Sequence, residues 1–322
     1  MSRTLLVITP VKNEEEYLGV TIASLERQTV TPTRWIIVDD ASTDRTGALA
    51  DAAAARNDWI TVIHRQGPQE RRVGPGVIEA FYEGLAHDEL ANYDYVCKLD
   101  GDLLLQPGYF EGLFQKFEAD PRLGTASGKA YALVDGKFVL ERTGDEFSHG
   151  VTKLYRTKCF DEIGGFVREV MWDGIDCHRC RMFGWRAKSF SDPELAVGHL
   201  RLMGSSYKSV YHGRMRWGRG QWFMGTHPLY LAGITGYRML ERPRVLGGLC
   251  ILLGYVQAGL ARRPRYGDRA FRKHLHRWQF EQLFGRRGNR SSSRLLTSEA
   301  PESLLRLAEE LVRTVEPASV LR

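Results

Sequence analysis

The sequence predicts an α/β protein, with a mostly parallel central sheet covered by helices on both faces and a basic helical region behind it. Three observations predict this. Strand-like and helix-like runs alternate through the first half of the chain, the apolar runs end in acids or polar turns, and charge is divided unevenly along the length. With 322 residues, 43% of them hydrophobic and 26% charged, the composition excludes disordered and fibrous classes. It leaves room for one large domain or two ordinary ones.

The elements follow in order. "TLLVITP" is a strand-length apolar run close to Met1, too short and too lightly flanked to be a signal peptide. Glu14 to Gln28 carries Leu18, Ile22 and Leu25 at helical spacing. "WIIVDD" is a second strand ending in acids, and "STDRTGALADAAAA" opens with N-cap candidates before an alanine-rich helix. "WITVIH" and "YVCKLD" are the third and fourth strands. Ligands bind beyond the carboxyl ends of strands in sheets of this kind. Those ends are Thr9-Pro10, Asp39-Asp40 and Asp100-Gly101-Asp102, three polar clusters expected along one edge.

Further on, "YALVDGKFVL" sets Asp135-Gly136 between two apolar runs, a two-residue hairpin signal. "VTKLYR" and "RAKSF" read as short strands, and a helix is expected to begin near Trp172-Asp173. After Gly285, "RRGNRSSS" reads as a polar linker. Beyond it Leu304, Leu305, Ala308, Leu311, Val312 and Val315 define one apolar helical face, suited to packing on a neighbour. These readings divide the chain into a catalytic body at 1–203, a basic and partly hydrophobic helical region at 204–285, and a linker with an amphipathic helix at 286–322.

The net charge of +6 conceals a strong asymmetry. Residues 1–200 hold 23 Lys and Arg against 31 Asp and Glu, whereas residues 201–290 hold 18 against 3. An acidic catalytic body and a cationic docking region are implied. The five cysteines are scattered through a chain with no export signal, so reduced thiols and a cytosolic setting are expected. "CHRC" (Cys177 to Cys180) has one half of a zinc spacing and no second pair, which favours packing over metal.

The pair Asp100 and Asp102, with only Gly101 between them, stands at the end of an apolar strand. Two carboxylates this close repel unless a cation or strong donors lie between them. One reading is ordinary Asp-Gly turn chemistry. The other is a hard-metal site that holds a phosphorylated ligand.

Over roughly residues 4–200 the chain resembles the family-2 glycosyltransferases of the GT-A fold. The resemblance rests on "TPVKNEEEYLGVTIASLERQT", "WIIVDDASTDRT", "KLDGD", and "CFDEIGGF" followed by "WDGID…GW", four motifs in the family's order. It implies an inverting transfer from a nucleotide-sugar donor, with Mn²⁺ or Mg²⁺ as cofactor. Asp102 would then bind the metal and Asp100 would face the ribose or a metal-bound water. Gly101 would let the backbone approach the ligand. Thr9, Pro10, Val11 and Asp40 would frame base and ribose, with Asp40 accepting from the ring imide, which suits UDP or dTDP donors. Asp39 is expected to brace the turn or cap the next helix.

"RRVGPG" sits where the family carries an Arg/Gly loop, which points to Arg71 ahead of Arg72 as a donor contact. His199 in "AVGHLR" falls where related enzymes place a histidine on the metal. Asp173 matches the family's general base, with Asp176 one turn on as the runner-up and an N-cap role for Asp173 as the structural alternative. Trp172 replaces the acid that usually precedes the base and could offer a flat surface to a sugar ring. Gly165 and Asp176 would join it in the acceptor site.

Val245 to Ala261 is 17 residues without charge. At ~1.5 Å per residue it reaches about 25 Å, short of a ~30 Å hydrocarbon core. Its arginine-rich flanks favour an interfacial element on an anionic membrane surface, peripheral or monotopic at the cytoplasmic face, over a helix hairpin buried on the catalytic domain. The function expected is therefore sugar transfer to a lipid-linked glycan. The alternatives are transfer to polyprenyl phosphate itself and, from another class, a basic nucleic-acid-binding protein. Three acid clusters at strand ends argue against nucleic acid as the partner.

Overall fold

The computed structural model describes residues 3–66, 74–141, 143–201, 210–240, 244–284 and 299–314. Arg71, Arg72 and the polar stretch after Gly285 lie outside the described residues.

Chain order runs β1 (Leu5–Val11), α1 (Leu18–Glu26), β2 (Arg34–Asp39), α2 (Thr46–Arg56), β3 (Ile60–His64), α3 (Pro75–Leu85) and β4 (Tyr95–Leu99). After these come β5 (Leu103–Leu105), α4 (Tyr109–Ala119), β6 (Leu123–Gly128), β7 (Ala130–Val134), β8 (Lys137–Leu140), β9 (Thr152–Arg156), α5 (Thr157–Glu162) and α6 (Trp172–Met182). The last are β10 (Arg186–Phe190), β11 (Val197–His199), α7 (Val210–Met224), α8 (Pro228–Arg238), α9 (Leu246–Leu260), α10 (Arg269–Phe284) and α11 (Glu302–Thr314).

β1 is apolar at successive positions because both of its faces are covered. Leu5 and Val7 enter one buried cluster with Leu18, Ile22 and Phe114, while Leu6 and Ile8 enter another with Ile78, Phe81 and Phe160. The sheet runs β10-β6-β9-β4-β1-β2-β3. β1 pairs in parallel with β2 and β4, β2 with β3, and β6 with β10. β9 alone is reversed, antiparallel to both β4 and β6. The sheet is thus mostly parallel, as expected, but mixed at its centre.

A second sheet, β5-β11-β7-β8, was not legible in the sequence. Its hairpin was. Val134 pairs with Lys137 around Asp135 (φ 49°) and Gly136 (φ 74°), the left-handed geometry whose twist matches paired strands. α11 closes this sheet with Leu304, Leu307, Ala308 and Leu311 against Val20, Leu104, Tyr131 and Phe138. Leu305, expected on that face, is exposed, and Leu307 takes its place.

The basic region folds as α7–α10 and docks on α6, where Ile175 packs with Met224, Phe271 and Leu275. α7 and α9 cross very closely. A methyl group added at Gly218 would lie 2.0 Å from the Ile251 carbonyl oxygen, and one at Gly254 would lie 2.1 Å from that of Met215. Among the described residues no helix is long and apolar enough to cross a membrane.

Candidate active site

The paired acids sit in the turn between β4 and β5. Gly101 is required there by sterics, since a Cβ would come 2.6 Å from Val11 Cγ1 at the end of β1. The Thr21 hydroxyl holds the turn from α1, donating to the Gly101 carbonyl (2.8 Å) and accepting from Leu103 N–H (2.9 Å). β1, α1 and β4 therefore fix the Asp-Gly-Asp unit in common.

Asp102 is buried, and its carboxylate accepts from Arg201 Nε at 2.6 Å with His199 Nε2 at 3.4 Å. The other His199 nitrogen lies 3.1 Å from Glu141 Oε1. Glu141 Oε2 is in turn 3.3 Å from His149 Nε2, and Arg201 also reaches Glu14 at 2.6 Å. Burial disfavours charge on His199, but Asp102 and Glu141 on either side outweigh it and hold its pKa up to about 10. Burial pushes His149 down to about 4, so that ring is neutral. Asp100 is held above its ordinary value by burial, opposed by Lys98 and reinforced by Asp102.

These donors suit a hard divalent cation in one respect. Asp102 offers an anionic oxygen, His199 would offer a nitrogen on releasing its proton to an arriving cation, and Glu141 fixes the far side of that imidazole as carboxylates do in metal-histidine sites. Among the described residues no three of His, Cys, Asp or Glu form a ready-made cage. An open site of this sort, completed by diphosphate oxygens and water, is how Mg²⁺-type ions are commonly held. The residues present fit Mn²⁺ or Mg²⁺ on that basis.

A pair of buried lysines lies beneath this cluster. Lys98 of β4 and Lys153 of β9 are register partners, and the Trp172 ring covers both, 5.2 and 5.6 Å from their ammonium nitrogens. Like charges directly opposite each other on adjacent strands are costly. Each therefore has its own acid. Lys98 bonds Asp100 and donates to the Gly150 carbonyl at 3.0 Å. Lys153 reaches Asp176 at 2.5 Å and the Asp173 carbonyl at 2.8 Å.

These contacts revise the expected acceptor site. Asp176 is buried, bonded by Lys153 and the Tyr155 hydroxyl, and its carboxylate serves the core. Trp172 is only 8% exposed and packs edge-on to Phe166, so it presents no open face for a sugar. Gly165 is buried at φ +67°, where a Cβ would strike the Tyr82 hydroxyl at 2.3 Å, so its role is to shape the turn. Asp173 is different. It is half-buried in the first turn of α6, and Met171, in the left-handed region, holds the N-cap position. Its Oδ2 lies 2.9 Å from the position a Cβ would take on Gly150.

Where the sequence leads us to expect the nucleotide, Asp40 N–H donates to the Val11 carbonyl at 2.8 Å, which joins the ends of β1 and β2. Asp40 pairs with Arg65 at 2.6 Å, and Pro10 is partly exposed beside it. Thr9 departs from expectation, because it is fully buried and its hydroxyl accepts from the Trp35 indole at 2.9 Å. Asp39 braces the turn, accepting from Ser42 N–H at 3.0 Å and meeting His64 at 3.0 Å. Cys177 and Cys180 are core residues, with Cys180 Sγ 3.6 Å from that of Cys159.

Sequence reasoning missed Glu14, Lys98, Glu141, His149, Lys153 and Arg201. For the two lysines a signal existed, a long cation inside an apolar strand, which is rare unless paired. For the others it did not, because their partners are distant in the chain.

The model of the family described as "Glycosyl transferase family 2" matches residues 6–167. "Glycosyltransferase GlyG" of Streptococcus pneumoniae is 27% identical over 172 residues, 53% of this chain and 50% of that protein. An undecaprenyl-phosphate mannosyltransferase of Micrococcus luteus is 36% identical over 102 residues, 32% of this chain and 39% of that one. The chain thus spans about half the length, or less, of these curated relatives. Among solved structures, the mannosyltransferase PcManGT of Pyrobaculum calidifontis, in complex with GDP-Man and Mn²⁺, superposes with a TM-score of 0.50 at 17% identity. That superposition covers 98% of this chain and 89% of that one, and it bears on the fold.

Proposed function

The chain belongs to glycosyl transferase family 2, a GT-A-like glycosyltransferase, and on that premise we propose an inverting, metal-assisted transfer from a nucleotide sugar to a lipid-linked glycan. One observation carries the reading. Gly150 ties the acid loop to α6, since Lys98 bonds both Asp100 and the Gly150 carbonyl while Asp173 Oδ2 lies against Gly150 from the other side. Asp100 and Asp173, far apart in sequence, thereby come together at Gly150, and we read them as a donor-side acid and an acceptor-side base.

Asp102 and His199 would hold Mn²⁺ or Mg²⁺, with Asp100 beside them. Such an ion supplies neutralisation of the charge that gathers on the departing diphosphate. Pro10, Val11, Asp40 and Gly101 would line the nucleotide, UDP or dTDP by the reading of Asp40, and Arg71 is a further proposed donor contact on the sequence pattern alone. Asp173 takes the acceptor hydroxyl proton as that oxygen attacks the anomeric carbon. The bond from that carbon to the phosphate oxygen breaks, and the nucleoside diphosphate leaves. The archaeal neighbour solved with GDP-Man and Mn²⁺ is in keeping with a metal.

A second reading is favoured by the undecaprenyl-phosphate relative. Polyprenyl phosphate as acceptor is already ionised and needs little base catalysis, so loss of the Asp173 carboxylate would matter far less. The test is nucleoside-diphosphate release across donor sugars, with membrane lipid extract as acceptor, in the wild type and Asp173→Asn. Release that depends on divalent metal and collapses in the variant supports the glycan acceptor. Release that survives the substitution supports polyprenyl phosphate, and no metal-dependent release with any donor overturns both.

A further inference from the structure

α9 is turned inside out. Its small residues Gly247, Gly248, Gly254 and Ala258 face the protein, with Ile251 and Tyr255 among them. Its large aliphatic residues Leu246, Leu249, Leu253, Val256 and Leu260 are 53%, 44%, 48%, 44% and 81% exposed. Those five recur at intervals of three and four, which places them along one stripe of a helix. Soluble proteins seldom present a contiguous apolar stripe of this kind without an occupant.

The occupant can be argued from the ends of the helix. Arg244 precedes it and Arg262, Arg263 and Arg265 follow it, all exposed. A second copy laid antiparallel would bring Arg244 against the other chain's Arg262 and Arg263, and one laid parallel would set each arginine cluster against itself. Either arrangement sets like charges together. An anionic lipid surface satisfies both features at once, taking the leucines at the acyl boundary and the arginines at the headgroups. The helix cannot span. Its 15 residues reach about 22 Å, and its inner face is locked to α7 through Gly218 and Gly254.

We propose that the outer face of α9, from Leu246 to Leu260, lies flat on an anionic membrane as a monotopic contact. Leu240 and Val245, ahead of α9 in the chain, are also exposed. This deepens the lipid-linked-acceptor reading by naming the surface that meets the membrane, and the docking of α7–α10 on α6 fixes how that surface sits relative to Asp173.

The experiment is sedimentation of the whole protein with vesicles of phosphatidylcholine alone or with phosphatidylglycerol, at low and high salt. Binding is expected to require phosphatidylglycerol at low salt and to weaken, without vanishing, at high salt. Leu249→Glu with Leu253→Glu should lower vesicle affinity at least tenfold. Arg262→Gln and Arg263→Gln should each lower it about fivefold, the effect of one cation near an anionic surface. Calorimetric UDP binding with Mn²⁺ should be the same in every variant, which separates this surface from the transferase reading. The proposal is overturned if the whole protein stays with the soluble fraction throughout, or binds vesicles equally with both leucines replaced. It is also overturned if the wild type sediments as a dimer that Leu249→Glu converts to a monomer, since a second copy would then own the stripe.

Discussion

In the α/β body, a small set of charged side chains points inward. Lys98, Asp102, Lys153, Asp176 and His199 are all buried, each against an opposite charge. In α9, packed on α7, three glycines face inward and the leucines face outward. Both regions break the ordinary rule of apolar inside and polar outside, and they break it in opposite senses. Buried ions are costly and are tolerated where geometry must be held ready for another charge. Exposed leucines are tolerated where another apolar surface is to be met. Each departure thus indicates the kind of ligand that its region serves.

The sharpest way to break the comparison is at Asp102. Asp102→Asn keeps the shape and removes the anion, so metal-dependent UDP binding should be lost, as read by calorimetry with and without Mn²⁺. Unchanged metal-dependent affinity would show that the acid pair is merely a turn. Next comes Asp173→Asn, which should leave UDP affinity intact and lower turnover about 10²- to 10⁴-fold, the usual scale for a general base. Were Asp176→Asn to lower turnover while leaving the unfolding midpoint untouched, Asp176 would be a base and not the core anchor described above.

Glu141→Gln is expected to act more mildly. Glu141 touches His199 and His149 and would act through them, by orienting the imidazole. The loss should be about 10- to 100-fold in Mn²⁺ affinity, typical of outer carboxylates in metal-histidine sites. The readout is Mn²⁺ titration followed by electron paramagnetic resonance of the free ion, with saturated turnover nearly unchanged. An equal fall in saturated turnover and no change in Mn²⁺ affinity would assign Glu141 a purely structural part.

Much of this architecture was legible because it is local. Alternation of β1 and β2 with their helices, the Asp135-Gly136 hairpin and the acids closing β2 and β4 depend on residues near each other in sequence. The reversal of β9, the small sheet around β11 and the docking of α11 depend on pairings across the chain, for which one sequence carries no period. The site divides in the same way. Asp100, Gly101 and Asp102 announce themselves, whereas Glu141 and Arg201 acquire meaning only through His199 and Asp102. Trp172 misled for a related reason. Taken alone it suggests a sugar platform, and only the facing lysines of β4 and β9 explain why the ring is drawn into the core.

The smallest effect sought is also the one most specific to the comparison, because it turns on sign. Gly254 and Leu253 are neighbours on α9, one facing α7 and the other solvent. In an ordinary exposed helix Gly→Ala stabilises by about 1 kcal/mol, because alanine loses less backbone entropy. Here the added methyl would meet the Met215 carbonyl oxygen at 2.1 Å, a rigid backbone atom in a tightly packed crossing. Overpacking of this type costs about 1–3 kcal/mol, so Gly254→Ala should lower the unfolding midpoint when propensity alone predicts a rise. Leu253→Ala removes far more volume from the adjacent position yet should stay within about 0.5 kcal/mol, since its side chain faces outward in the free protein. Thermal unfolding of the two variants in the absence of lipid decides the matter. A stabilised Gly254→Ala, or a Leu253→Ala as damaging as a core truncation, would mean that α9 is turned the other way and that the leucines, not the glycines, hold the helices together.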